Sequence, residues 1–316
     1  MIKKLAILFY AVILSTGLLF AQEETSFVVN EIEGVMSQGK QTGLEIFIPE
    51  VQKKEVEAAL SKWTKSNKGK YVSSKKSSEI FQDNVQVSSV SDNTVDMYTI
   101  LTQENDGVRL RTFVDLGGTF LSSSGHPQAF EAMERVLIDF SRNQLISSVD
   151  KNIKTEEKHL SQLQSQLKSL EKQKTGYEKD IVNHQNNIQK QELAMTKNET
   201  DQKTKEQQIA IQQEILLAAR QKQSAMGSSL DESAKKLLAN QVKTEEKTLK
   251  TFESQLKSLR SSYAASAKDI EKSKSTIAQR EQDIIKNTED QNTKQQQIEL
   301  QKQIVEAIKQ KRSEIK

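Results

Sequence analysis

The sequence predicts an α+β domain, built as an antiparallel sheet with two helices, followed by a long all-α antiparallel coiled-coil hairpin. Three observations predict it. Trp63 and most of the phenylalanines lie before residue 141, among short alternating apolar runs, whereas 150–316 has no proline and only Gly176 and Gly227 as glycines. A 71-residue segment is written twice: Lys154–Ser224 returns without a gap 89 positions later as Lys243–Ser313, with 32 positions identical. Each copy also carries an unbroken heptad. Its a positions are Ile153, Leu160, Leu167, Lys174, Ile181, Ile188, Met195, Gln202, Ile209 and Leu216, then Val242, Leu249, Leu256, Tyr263, Ile270, Ile277, Ile284, Gln291, Ile298 and Val305. An apolar seam flanked by charged residues and Gln over that length specifies a coiled coil.

Residues 1–21 read as a secretory signal peptide. Lys3 and Lys4 give the positive start, Leu5–Phe20 the apolar run, and Ala21 the small residue before Gln22. The run is short for a spanning helix, although an uncleaved anchor is the alternative. Cleavage after Ala21 predicts a periplasmic or secreted protein with no membrane insertion.

The α+β domain is expected over 22–149. Val28–Met36 alternates loosely, and Gly43–Pro49 reads as a strand, with Gln38–Thr42 as the loop between them. Glu50–Ser66 is an amphipathic helix with Val56, Ala59, Leu60 and Trp63 on one face, stopped by Asn67-Lys-Gly69. Strands are expected at Gly69–Val72, Val85–Val90, Val95–Thr102 and Val108–Leu116, the last two joined by a tight turn at Asn105-Asp-Gly107. On the last strand Val108, Leu110 and Val114 point one way and Arg109, Arg111 and Asp115 the other, which describes a half-buried strand. Pro127 suits the first turn of a second helix whose inner face is Phe130, Met133, Leu137 and Phe140. By Ile146 and Val149 the apolar positions have moved onto the heptad frame, so this helix is expected to run straight into the coil.

The rod is expected over 150–316: repeat 1 at 154–224, a turn at 225–229, and repeat 2 at 243–313. Gly227 suits a helix C-terminus and Ser229 with Glu232 a capping box. The turn residues Ala225, Met226, Gly227, Ser228 and Ser229 are the candidate partner contacts. Gly176 has no helix breaker beside it and reads as a tolerated mid-helix glycine. Asn198, Gln202 and Lys205 occupy successive core positions, repeated by Asn287, Gln291 and Lys294. Continuous helices are expected through these polar layers, with helix breaks or a parallel two-chain coil as the alternatives. The two arms, about 76 and 87 residues, differ so that Ile308 and Ile315 should pack near Phe140–Ile146.

Charge is nearly balanced at +3. Residues 22–149 carry 13 Lys/Arg against 18 Asp/Glu, and 150–316 carry 31 against 25. A mixed-sign surface of that kind argues against nucleic-acid binding, which needs a concentrated basic patch. Without cysteine there is no disulfide, thiol catalysis, thiolate metal site or lipidated-cysteine anchor. His159 and His184 are too far apart on one helix to share a metal, and His126 reads as a surface or cap residue. Gly117-Gly118 lacks the phosphate-loop spacing, and Ser122–Ser124 between Asp115 and His126 has no nucleophile elbow. No catalytic, cofactor or metal residues are therefore expected.

Gly43-Leu-Glu-Ile-Phe-Ile-Pro49, Ser78-Glu-Ile-Phe-Gln-Asp-Asn84, and Val114-Asp-Leu-Gly-Gly118 followed by His126-Pro127 resemble phrases of an uncharacterised family of exported Gram-negative bacterial proteins with a small α+β domain. The resemblance covers roughly residues 40–145 and implies export and the domain boundary, with no activity attached. The function expected is an exported interaction protein, its rod a spacer or scaffold and its α+β domain a binding module for a protein partner. A homo-oligomer through the coiled coil is a further expectation. The alternative is a periplasmic holdase chaperone with helical-hairpin tentacles.

Overall fold

A computed structural model gives the fold and describes residues 27–74, 77–226 and 231–315. The expected signal segment 1–21 lies outside the described residues, as do Gly227, Ser228 and Ser229 of the expected turn. Six strands are described, β1 (Val29–Met36), β2 (Gly39–Pro49), β3 (Lys70–Ser73), β4 (Glu79–Val85), β5 (Val95–Glu104) and β6 (Gly107–Asp115). The helices are α1 (Lys53–Ser66), α2 (Pro127–Met226) and α3 (Glu232–Glu314). The described residues form two compact units, one of those up to Ser161 together with those from Glu299 onward, the other of those between Gln162 and Ile298.

In the first unit the strands form one antiparallel sheet in the order β1-β2-β6-β5-β4-β3. Alternation along β2 and β6 sends Leu44, Ile46, Ile48, Val108, Leu110 and Val114 to one face, where α1 and the start of α2 cover them. Val56 and Leu60 come from α1, and Phe130, Met133, Leu137 and Phe140 from α2. Within this core four polar side chains satisfy one another. Gln82 donates to Thr64 Oγ1 at 2.7 Å, Thr99 donates to Gln82 Oε1 at 2.7 Å, the Thr99 and Thr112 hydroxyls meet at 3.1 Å, and Thr64 donates to the Leu60 carbonyl at 2.8 Å. All four are fully buried, so each bond offsets a desolvation cost that an unpaired group would leave standing.

Three expected boundaries are corrected. The first hairpin loop is the two-residue turn Ser37-Gln38, because Gly39 accepts φ +92 and lets β2 begin there. The helix expected from Glu50 begins at Lys53; Glu50 has φ +57 and its amide donates to the Asp106 carbonyl at 2.7 Å. The strand expected at Val85–Val90 is instead Glu79–Val85. Left-handed Asn84 and a register shift between Gln82 and Val85 end the ladder, and the valines beyond fill the core from a turn, Val90 donating to Val87 at 2.8 Å. Alternating apolar residues that plug a core look like a strand on paper.

The far face of the sheet carries a second cluster that the sequence reading did not anticipate. Met36, Tyr98 and Phe113 are buried there, with Ile32, Phe81, Ile100 and Phe120 against them. Ser37 closes it over, donating its amide and hydroxyl to the Glu79 carboxylate at 2.9 and 2.5 Å. Phe113 needs two glycines beneath it: a Cβ on Gly34 would lie 2.6 Å from its ring, and one on Gly43 2.5 Å.

The antiparallel coiled-coil hairpin is formed by α2 and α3. Both helices run unbroken through the polar segments 197–206 and 286–295, so the four-helix alternative does not hold. Gly176 sits in continuous helix, and a side chain there would meet nothing within 4 Å of its Cβ. The N-cap of α3 is Asp231, whose carboxylate accepts the Ala234 amide at 2.7 Å and the Ser233 hydroxyl at 3.1 Å. A Ser229–Glu232 capping box is the expectation this replaces: with Glu232 as the first helical residue, the capping position falls two residues later than expected.

Candidate functional site

Two surfaces could serve a binding protein, the hairpin with its seam and the outer sheet face of the domain. In the second unit the seam is read off one row of contacts. Gln212 donates to the Glu245 carboxylate at 2.6 Å, the Lys205 ammonium stands 4.7 Å over the Phe252 ring, and Asn198 donates to the Leu259 carbonyl at 3.0 Å. Further along, His184 meets the Ser273 hydroxyl at 3.4 Å and Arg280 lies 5.1 Å over the Tyr177 ring. Each step of seven residues back along α2 is matched by a step forward along α3, which is the signature of an antiparallel heptad pair. The expected core residues Asn198, Gln202 and Lys205 are thus satisfied inside the hairpin. Gln202 donates to Asn198 Oδ1 at 2.7 Å, and Lys205 to Gln208 at 2.7 Å. The second copy does the same: Gln291 donates to Asn287 at 2.6 Å and Lys294 to Gln297 at 2.8 Å.

The first unit holds the part of α2 up to Ser161 and the part of α3 from Glu299 onward. Leu145, Val149 and Ile315 are buried together, with Phe27, Ile146, Ile153 and Ile308 against them. This is where Ile308 and Ile315 were expected. Gln301 donates to the Glu156 carboxylate at 2.7 Å, Arg312 to Asp150 at 2.8 Å, and Lys311 pairs with Glu50. Glu50 also accepts the Ser148 hydroxyl at its carbonyl, 2.6 Å. Its left-handed backbone therefore joins the end of β2 to α2 and α3. Beside it Lys151 holds the Glu55 carboxyl below the usual carboxylate range.

On the outer sheet face Arg109 reaches Glu104 at 2.5 Å and Glu45 at 3.0 Å and lies 5.5 Å over the Phe47 ring, while Arg111 reaches Glu45 at 2.6 Å. The arginines are neutralised by this ladder, and the Glu104 carboxyl is held down by its Arg109 bond. At the edge strand β1, the hydroxyl and amide of Ser123 do the same to the Glu31 carboxyl.

Of the expected contact residues, Ala225 is exposed near the end of α2; Met226 is its last residue, and Gly227–Ser229 lie outside the described residues. Nearby, Ile211, Ile215 and Leu217 on α2 and Leu237 on α3 are 58, 44, 58 and 74% exposed. The i, i+4 spacing puts Ile211 and Ile215 on one helix face. Sequence reading missed this stretch because the heptad uses only Ile209, Gln212, Leu216 and Ala219 and leaves Ile211, Ile215 and Leu217 off the seam. Asp115 shapes its own turn, accepting the amides of Gly117 and Gly118 at 2.9 and 2.7 Å. His126 opens α2, its carbonyl accepting the Phe130 amide at 2.9 Å. Among the described residues no group of three or more acidic or histidine side chains could hold a metal, and no helix is long and apolar enough to cross a membrane.

No protein-family model matches the chain, and no curated protein does. Among solved structures it is similar to the Smc head domain with a coiled coil and joint from Pyrococcus yayanosii, at 11% identity over 92% of this chain and 70% of that one, with a TM-score of 0.36. A likeness at that level carries neither fold nor function across.

Proposed function

We propose that this chain is an exported interaction protein in which the coiled-coil hairpin acts as spacer or scaffold and the α+β domain binds a protein partner. One observation carries the reading. A single helix, Pro127–Met226, first supplies Phe130, Met133, Leu137 and Phe140 to the domain core and then becomes the first arm of the hairpin. A linker that only tethers has no need of this, whereas a spacer needs continuous helix. Export is supported by Lys3-Lys4, the short apolar run and Ala21, and by the resemblance to exported Gram-negative proteins. A non-catalytic role fits the engagement of Asp115 in its turn and the pairing of the domain's arginines with carboxylates.

The test is site-specific photocrosslinking of full-length protein in its native envelope, with the probe at Phe47 on the sheet face or at Ala225 near the end of α2. The scaffold reading expects one discrete crosslinked partner per site, each lost only when its own surface is altered. A ladder of many masses at Ala225, together with suppressed aggregation of unfolded outer-membrane proteins at stoichiometric ratios, would replace it with the holdase reading. That second reading is favoured by exposed Ile211, Ile215 and Leu237. Intact-mass measurement of the mature chain tests export: a chain still beginning at Met1 contradicts removal of residues 1–21.

A further inference from the structure

The seam writes its orientation code twice. Gln212 bonds Glu245 in the second unit, and the residues at the matching repeat positions, Gln301 and Glu156, bond each other in the first. Arg220 pairs with Glu246 at 2.7 Å, and their counterparts Lys309 and Glu157 pair at 2.9 Å. The Gln202–Asn198 and Gln291–Asn287 bonds repeat in the same way. Also in the second unit, His184 meets Ser273, which is its own repeat counterpart. Two copies of one sequence are therefore folded against each other as an antiparallel pair that is symmetric in its contacts. The orientation is enforced chemically. Lys205 faces Phe252 in this arrangement, whereas in a parallel in-register pair of chains Lys205 would face Lys205, and Lys294 Lys294.

We propose that this seam is a recognition surface for a second copy of the chain, two chains exchanging arms so that α2 of one pairs with α3 of the other through the same antiparallel layers. The code points to the partner. Each polar core side chain asks for the residue that the repeat supplies, and a second copy of this chain carries all of them in order. The exchanged pair keeps every seam contact of the closed hairpin. The closed form is favoured only by having both arms on one chain, an effective concentration of order mM for a short connection. Exchange of an identical element is for that reason a low-cost route to dimers. In the pair, Ile308 and Ile315 of one chain enter the Leu145–Val149 cluster of the other, and Lys311 meets the other chain's Glu50. Each α+β domain is then held by its partner's C-terminal turn.

The test uses two full-length variants. One carries Ile209→Lys with Leu216→Lys, the other Val242→Glu with Leu249→Glu, all in or beside the cluster where Leu216, Ala219, Val242 and Leu249 pack. A closed hairpin of either variant buries unpaired charge. An exchanged pair of the two sets lysines against glutamates in one seam and leaves the other seam native. Each variant alone is expected to be monomeric with lowered melting temperature. Unfolded and refolded together, they are expected to give a 1:1 heterodimer about tenfold over either homodimer and melting above either variant. A refolded mixture that remains the sum of its two components, or dimers in statistical proportion, overturns the proposal. Should the variants lack helicity alone, differently tagged wild-type chains refolded together at about 100 µM decide it, since mixed-tag dimers are required of an arm exchange at such concentrations. A wild-type pool that stays wholly monomeric there refutes the inference.

Discussion

Phe113 shows how much a single contact can demand of residues far away in sequence. Its ring is buried on the outer sheet face because Gly34 and Gly43 leave room for it. A methyl group at Gly43 would lie 2.5 Å from the ring and 2.7 Å from the Thr112 carbonyl, and the latter belongs to a paired strand that cannot retreat. Gly43→Ala is expected to cost about 1–3 kcal/mol, the range for forcing atoms into a packed site, read as a lower urea midpoint at unchanged slope. The alternation of β6 made Val108, Leu110 and Val114 legible in the sequence as core. Phe113 was not, because nothing local says that Ser37 will reach Glu79 and close the far face. Asp231 supplies a pH-dependent counterpart. Its carboxyl is held below the ordinary aspartate value by the Ala234 amide and the Ser233 hydroxyl. A depressed folded-state value means that the cap is present above about pH 4 and is lost as pH falls through the lowered value. Amide exchange in the first turn of α3 should rise below that pH, and Asp231→Asn, which still accepts a hydrogen bond, should flatten the dependence. An equally steep dependence in the Asn variant would point to another group.

At the scale of the element, the heptad was the most legible feature. Its a positions are the covered positions in both arms, from Ile153 to Leu216 and from Val242 to Val305, because a core stripe must recur at the helical repeat wherever two helices pack. What the sequence left open was the polar row, since Asn198, Gln202 and Lys205 kept a break and a parallel pair as alternatives to the expected continuous antiparallel arms. The partner residues decide, and partners are a property of the fold. Gln202 finds Asn198 one turn away, Asn198 finds the Leu259 carbonyl, and Lys205 finds the Phe252 face. If these layers give up stability for orientation, replacing the lysines should reverse the balance. Lys205→Leu with Lys294→Leu is expected to raise the unfolding free energy by about 1 kcal/mol per layer, seen as a higher melting temperature, while broadening the distribution of oligomeric masses. Higher stability with an unchanged mass distribution would mean that Lys205 and Lys294 do not set orientation. The strand misread at Val85–Val90 has the opposite lesson: Val87 and Val90 are core residues presented by a turn, and burial alone does not fix backbone shape.

For the molecule as a whole, the class of structure was legible in the sequence, and the partner was not. A chain that spends its second half on a duplicated seam declares a coiled coil. Its balanced surface charge and missing cysteines only narrow the chemistry of what it meets. The continuous helices α2 and α3 carry the Gln212–Glu245 contact in the second unit and the Gln301–Glu156 contact and Ile308–Ile315 cluster in the first, so a change of length in one arm has to be met in the other. Matched changes should therefore be tolerated and unmatched ones not. Deleting residues 181–187 together with 270–276 removes whole heptads that face each other, the His184–Ser273 contact among them. Every remaining layer keeps its partner, and the melting temperature should fall only slightly. Deleting 181–187 alone shifts one arm by a heptad. Either Gln301 loses Glu156 and Ile315 loses Leu145 and Val149, or the contacts of the second unit slip instead. The unmatched deletion is thus expected to destabilise by several kcal/mol, on the scale of emptying a cluster of buried aliphatic side chains. Chemical denaturation of the two deletions side by side distinguishes the outcomes, and equal midpoints would show that the layers act locally, with no register shared along the hairpin.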